Sequence, residues 1–82
     1  MTKEEAHNVL RAIYSIIEDS AMTGGAFEAG RDYSMKMYNR IRTYAIKEEW
    51  IDEFIFDELT EENCLNTETL GVAAGLLAAG LK

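Results

Sequence analysis

Proline is absent from all 82 residues of the chain. Proline removes a backbone donor and clashes with the preceding turn of a helix, so its absence favours long uninterrupted helices and argues against a proline-rich linker. Cysteine and histidine each occur once, as Cys64 and His7. A lone thiol cannot close an intrachain disulfide, and secreted domains of this size ordinarily carry several, so a reducing, cytoplasmic setting is expected. A structural zinc site needs four ligands, usually Cys and His, and the chain does not supply them. A Cys/His nucleophilic pair would need only two residues, but neither lies in a recognisable motif. His7 therefore reads as a surface residue of the first helix and Cys64 as a small, partly buried one. There is no Gly-x-Gly-x-x-Gly, no P-loop and no Gly-x-Ser-x-Gly. No catalytic set, cofactor site or metal site is expected.

Basic residues are also scarce: eight Lys and Arg stand against fifteen Asp and Glu, for a net charge of −7. That balance disfavours a general nucleic-acid binder or a binder of anionic membranes. The longest run with neither charge nor a hydrogen-bonding side chain, Leu70 to Leu81, is 12 residues, well short of the ~20 needed to span a bilayer. The N-terminus, Met-Thr-Lys-Glu-Glu-Ala-His, has no apolar signal core. What remains is one domain over residues 1–82, with 48% hydrophobic and 28% charged residues, a globular composition.

The apolar spacing predicts an all-α fold, a compact bundle of three to four helices over about 2–20, 26–49, 51–59 and 67–81. In the first helix Thr2 and Glu5 have the capping-box spacing, and Ala6, Val9, Leu10, Ile13, Ile16 and Ile17 form one stripe. Gly24-Gly25 is expected to close that helix and send the chain back antiparallel. The second helix starts near Ala26 or Arg31, with a seam of Phe27, Gly30, Ser34, Met37, Ile41, Tyr44 and Glu48. Ile51, Phe54, Ile55 and Leu59 keep helical spacing and predict a short third helix, or an extension of the second. Thr60-Glu61-Glu62 resembles another helix start, giving a turn or two up to Leu65. Asn66 or Thr67 is the expected cap of the last helix, with Glu68 in its first turn. That helix, apolar on every side, has to be surrounded by its own chain or by a second copy, and is expected to be the central packed element. Its small residues Gly71, Gly75, Ala78 and Ala79 mark a place of close approach, as a core seam or a self-association seam.

Charge is segregated along the chain. From Arg31 to Lys47 there are five basic residues and one acid; from Glu48 to Glu68 there are nine acids and no base. Tyr33, Lys36, Arg40 and Lys47, with Arg42 nearby, would share a basic face of the second helix. Nucleic acid on that face is disfavoured by the acidic run that follows it, within a Debye length of ~8–10 Å. Glu48 with Asp52, Glu49 with Glu53, Asp57 with Glu61 and Glu58 with Glu62 stand at i,i+4 spacing and would share helical faces. Runs of this kind are usually solvated faces. The run lacks the interleaved Gly and Asn of a calcium loop, so a docking surface for a basic partner ranks above metal.

The expected function is that of a small acidic interaction module, an adaptor, inhibitor or regulatory accessory protein, that binds a partner protein through a charged face and is not an enzyme. In its sharpest form the acidic face would imitate nucleic-acid phosphate and occupy a basic groove on a nucleic-acid-binding protein. Such chains are common among phage and mobile-element accessory proteins, an analogy of composition alone. The alternative is a self-assembling structural homo-oligomer joined through the C-terminal Gly/Ala helix. Nucleic-acid binding through the basic second helix is the lower alternative.

Overall fold

A computed structural model describes the backbone of residues 1–23, 28–64 and 66–81, and the described residues form three helices and no strand. They are α1 (Lys3–Thr23), α2 (Glu28–Lys47) and α3 (Thr67–Gly80). The expected Gly24-Gly25 reversal, Phe27 and Leu65 lie outside the described residues. The radius of gyration, 12.1 Å, matches the ~12 Å of a folded chain of this length.

α1 begins on the reciprocal cap written in its sequence. The Thr2 backbone N–H donates to Glu5 Oε1 at 2.9 Å and the Glu5 N–H to Thr2 Oγ1 at 3.1 Å. These bonds hold the Glu5 carboxyl below its ordinary pKa, because the charged form is the better acceptor. Ala6, Leu10, Ile13 and Ile17 are buried along one face, Val9 is half-buried and Ile16 is about half exposed. The helix runs three residues past its expected end at residue 20.

α3 begins at Asn66, whose side-chain oxygen accepts from the Thr69 N–H at 2.9 Å and from Thr69 Oγ1 at 3.0 Å. Its small residues let α1 close on it. A Cβ at Gly71 would lie 3.0 Å from Ile17 Cγ2, and one at Gly75 3.3 Å from Tyr14 Cδ2. Leu70, Ala74, Leu77 and Ala78 are buried. Complete burial of a leucine contributes roughly 1.5–3 kcal/mol, so the α1–α3 contact is the main packing of the fold. Ala79 and Gly80 are exposed. The all-round burial expected of this helix is not met, because Val72 and Leu76 on its other side are 55% and 60% exposed.

α2 is rotated from its expected register. Ser34, Tyr38, Ile41 and Ala45 are buried, whereas Met37 and Tyr44 are only half-buried and Glu48 is exposed. Tyr38 and Ala45, one residue on, are the true centre of the seam. Gly30 stands inside the helix rather than before it.

The helix expected over 51–59 does not form. α2 stops at Lys47 on a reversed cap: the Trp50 N–H reaches Ala45 O at 2.8 Å and the Glu49 N–H reaches Ile46 O at 3.0 Å. This is the Schellman pairing, with Glu49 at φ 60 in the left-handed position usually held by glycine. Trp50 closes it by packing on Tyr44, with ring centroids 5.4 Å apart. The second helix therefore neither reaches residue 49 nor continues beyond it. Residues 48–64 instead form an irregular strap between α2 and α3.

Candidate functional site

The strap is held by side chains of α2 that bond its backbone. Asn39 clamps Leu59 from both sides, donating from Nδ2 to Leu59 O at 2.8 Å and accepting from the Leu59 N–H at 2.9 Å. Arg42 donates from Nε to Phe56 O and from Nη2 to Glu53 O at 3.5 Å. The Tyr38 hydroxyl donates to Asp57 O at 3.3 Å. These groups satisfy backbone polar atoms that a helix would have paired within itself. Two local turns stiffen the strap further. Asp52 Oδ1 accepts from the Phe54 N–H at 2.9 Å, and Asp52 O accepts from the Ile55 N–H at 3.1 Å. Thr60 and Asn63 exchange backbone-to-side-chain bonds at 2.8 and 3.4 Å, and Asn63 Nδ2 donates to Glu58 O at 2.9 Å.

Leu59 and Cys64 are the buried anchors of the strap, and half-buried Phe56 packs on Gly80, where a Cβ would lie 3.1 Å from its ring. Burial pushes the Tyr38 phenol and the Cys64 thiol above their ordinary pKa values, Arg42 and Arg31 respectively opposing the shift. The acids of the strap, by contrast, are not buried. Glu48, Glu49, Asp52, Glu53, Asp57, Glu58, Glu61 and Glu62 are all exposed. They do not share helical faces, because the segment is not a helix. Among the described residues no three His, Cys, Asp or Glu side chains gather closely enough to hold a metal ion.

Where the strap passes α3 it leaves an open groove of about 470 Å³. Ile55 and Phe56 line one wall, Val72, Ala73 and Leu76 the other, and Tyr38 lies in the lining; Asp57 and Glu68 bring negative charge to it. The volume lies within the ~300–1,000 Å³ of typical ligand clefts. Ile55 is 70% exposed, and beside it at the tip of the strap turn Phe54 is 86% exposed. Apolar residues left open together on a defined backbone mark a contact surface more often than singly scattered ones do. The sequence hid this groove, because its two walls are some twenty residues apart. The one signal was the uncharged run itself, longer around its circumference than the chain can cover.

Tyr33, Lys36, Arg40 and Lys47 are all exposed on α2, and at ~100° per residue they fall within about 60° of one another. Arg42 is not part of that face, being half-buried and committed to strap carbonyls. His7 is not a plain surface residue. It is half-buried, and its Nδ1 lies 2.7 Å from Ala78 O, so Nδ1 carries the proton and donates to the last turn of α3. Cys64 Sγ lies 3.7 Å from Asn66 O at the opposite end of that helix. A 14-residue helix is ~20 Å long, so His7 and Cys64 do not form a pair.

Among the described residues no helix is long and apolar enough to cross a membrane. Compared with protein-family models, curated proteins and solved structures, the chain finds no match in any of the three.

Proposed function

We propose that the chain is a protein-interaction module that works by contact rather than catalysis, docking a basic partner protein on the acidic strap. The observation that carries this reading is the combination of eight exposed carboxylates with a backbone pinned by Asn39, Arg42 and Tyr38. A pinned backbone carries its charges into a complex with little further loss of freedom, which is where flexible surfaces lose affinity. Clustered charge of one sign also steers an oppositely charged partner and raises its association rate, in a salt-sensitive way. The buried, free thiol of Cys64 fits a reducing compartment such as the cytoplasm.

The test is charge reversal where the side chains do not hold the fold. Glu53 and Glu58 give only their backbone carbonyls to the strap's hydrogen bonds, and Glu62 is exposed beside them in the chain. The combined Glu53→Lys, Glu58→Lys and Glu62→Lys variant should retain its helical signal. It should lose the proteins that the native chain retains from its source lysate at low salt. Retention of the same proteins with the same salt dependence would refute the docking reading.

A further inference from the structure

We infer that the groove between the strap and α3 receives an amphipathic helix with an apolar ridge and basic flanks. The inference rests on the docking reading for its charged surroundings, and on separate residues for its floor. Val72 and Leu76 stand one turn apart on α3 and are 55% and 60% exposed, facing Ile55 across the groove. An open i,i+4 ridge on one helix is the complement of a second helix packed ridge into groove. Helix-in-groove recognition uses anchors of this spacing. No described strand offers an edge for an extended peptide to join.

The charge pattern selects the occupant. Asp57 and Glu68 line the groove, and the strap beside it carries acids and no base from Glu48 onward. Lysine or arginine flanking the incoming ridge would meet those carboxylates. A second copy of this chain is a poorer fit, since each copy carries −7 and a two-fold pairing would set acidic rim against acidic rim. An anionic membrane surface meets the same repulsion.

The experiment uses the whole chain and designed peptides of about 18 residues, five turns of helix. One peptide has Leu and Lys in an amphipathic repeat, one has the same composition scrambled to destroy the apolar face, and one has Leu and Glu in the amphipathic repeat. Backbone amide shifts and calorimetry are read at low and high salt. The amphipathic Leu/Lys peptide should bind one to one, with its largest shifts at Ile55, Val72 and Leu76. Leu76→Gln, at an exposed helical position, should leave the fold intact and weaken binding about tenfold or more, as expected when a central apolar anchor is lost. Equal binding of the scrambled peptide, with shifts spread over the strap and no effect of Leu76→Gln, would overturn the groove while leaving the docking reading standing. Binding in the groove that the triple Lys variant does not weaken supports the groove and removes the docking reading. Binding of the Leu/Glu peptide would overturn the basic flanks. Failure of every peptide at low salt would overturn the groove, the docking reading being judged separately by the charge-reversal variant. Dimerisation of the chain alone, abolished by Leu76→Gln in sedimentation, would give the groove to a second copy and overturn the inference.

Discussion

Glu49 is the residue at which a single side chain works against its backbone. Its φ of 60 is a conformation that costs an L-residue with a Cβ roughly 1–2 kcal/mol, and it persists because Trp50 and the two reversed hydrogen bonds hold it in place. Glu49→Gly should therefore stabilise the chain by about 1 kcal/mol, less the extra freedom that glycine gives the unfolded state. Urea denaturation measures this, and a loss of stability would mean that the Glu49 side chain makes a contribution its exposure does not suggest. The glycines of α3 give a paired case. Alanine gains about 1 kcal/mol over glycine in a helix, but the new methyl must find room. At Gly71 it would press on Ile17, buried and β-branched, whereas at Gly75 it would press on the half-buried Tyr14 ring. Gly71→Ala should destabilise and Gly75→Ala should be neutral or better, since only the second neighbour has room to give. Equal effects at the two positions would contradict the packing described for α1 on α3.

At the scale of elements, the chain declares its helices most clearly where caps are written locally. The Thr2–Glu5 cap was readable, and Asn66 was one of the two candidate caps of α3, because a cap needs only residues three apart. Residues 51–59 were not, although Ile51, Phe54, Ile55 and Leu59 have helical spacing. The competitor lies on another element: Asn39 and Arg42 supply the bonds that a helix would have supplied to itself. The end of α2 was hidden for a related reason, because its left-handed residue is a glutamate and not the glycine that usually announces one. Exposure of the acids was legible in their type, but their loss of shared helical faces was not, and neither was the groove. Asn39→Ala tests the strap as an element. It leaves the backbone N–H and C=O of Leu59 without partners next to a buried side chain, at a cost of about 1–3 kcal/mol. Hydrogen exchange should quicken at Leu59 and its neighbours before it does so in α1 or α3, as expected if the strap opens as a sub-global unit. Uniform acceleration across the molecule would mean that the strap and the helices open together.

For the molecule as a whole, the balance of charge sets how stability responds to solvent. A net −7 with eight exposed carboxylates along one strap is a self-repelling arrangement, and compaction brings those charges closer than the unfolded chain holds them. Salt shortens the reach of that repulsion from ~30 Å at 0.01 M to ~8 Å at 0.15 M. The melting temperature should therefore rise with sodium chloride over this range, before any general salting-out effect. The response should be clearly flatter in the Glu53→Lys, Glu58→Lys and Glu62→Lys variant, whose three reversals bring the net charge close to neutral. A second dependence runs the opposite way at high pH. The folded state raises the pKa of the Tyr38 phenol, chiefly by burial, so the unfolded chain loses that proton first. Stability is then full below the ordinary phenol value of ~10 and falls as pH rises through it. Tyr38→Phe should flatten this alkaline limb while leaving the salt response unchanged, because the hydroxyl carries no charge at neutral pH. Thermal melts over both variables separate the two effects. A native chain whose melting temperature falls as salt is added would show that attraction, not repulsion, dominates its surface, and the acidic strap would then be paired within the fold and not displayed for a partner.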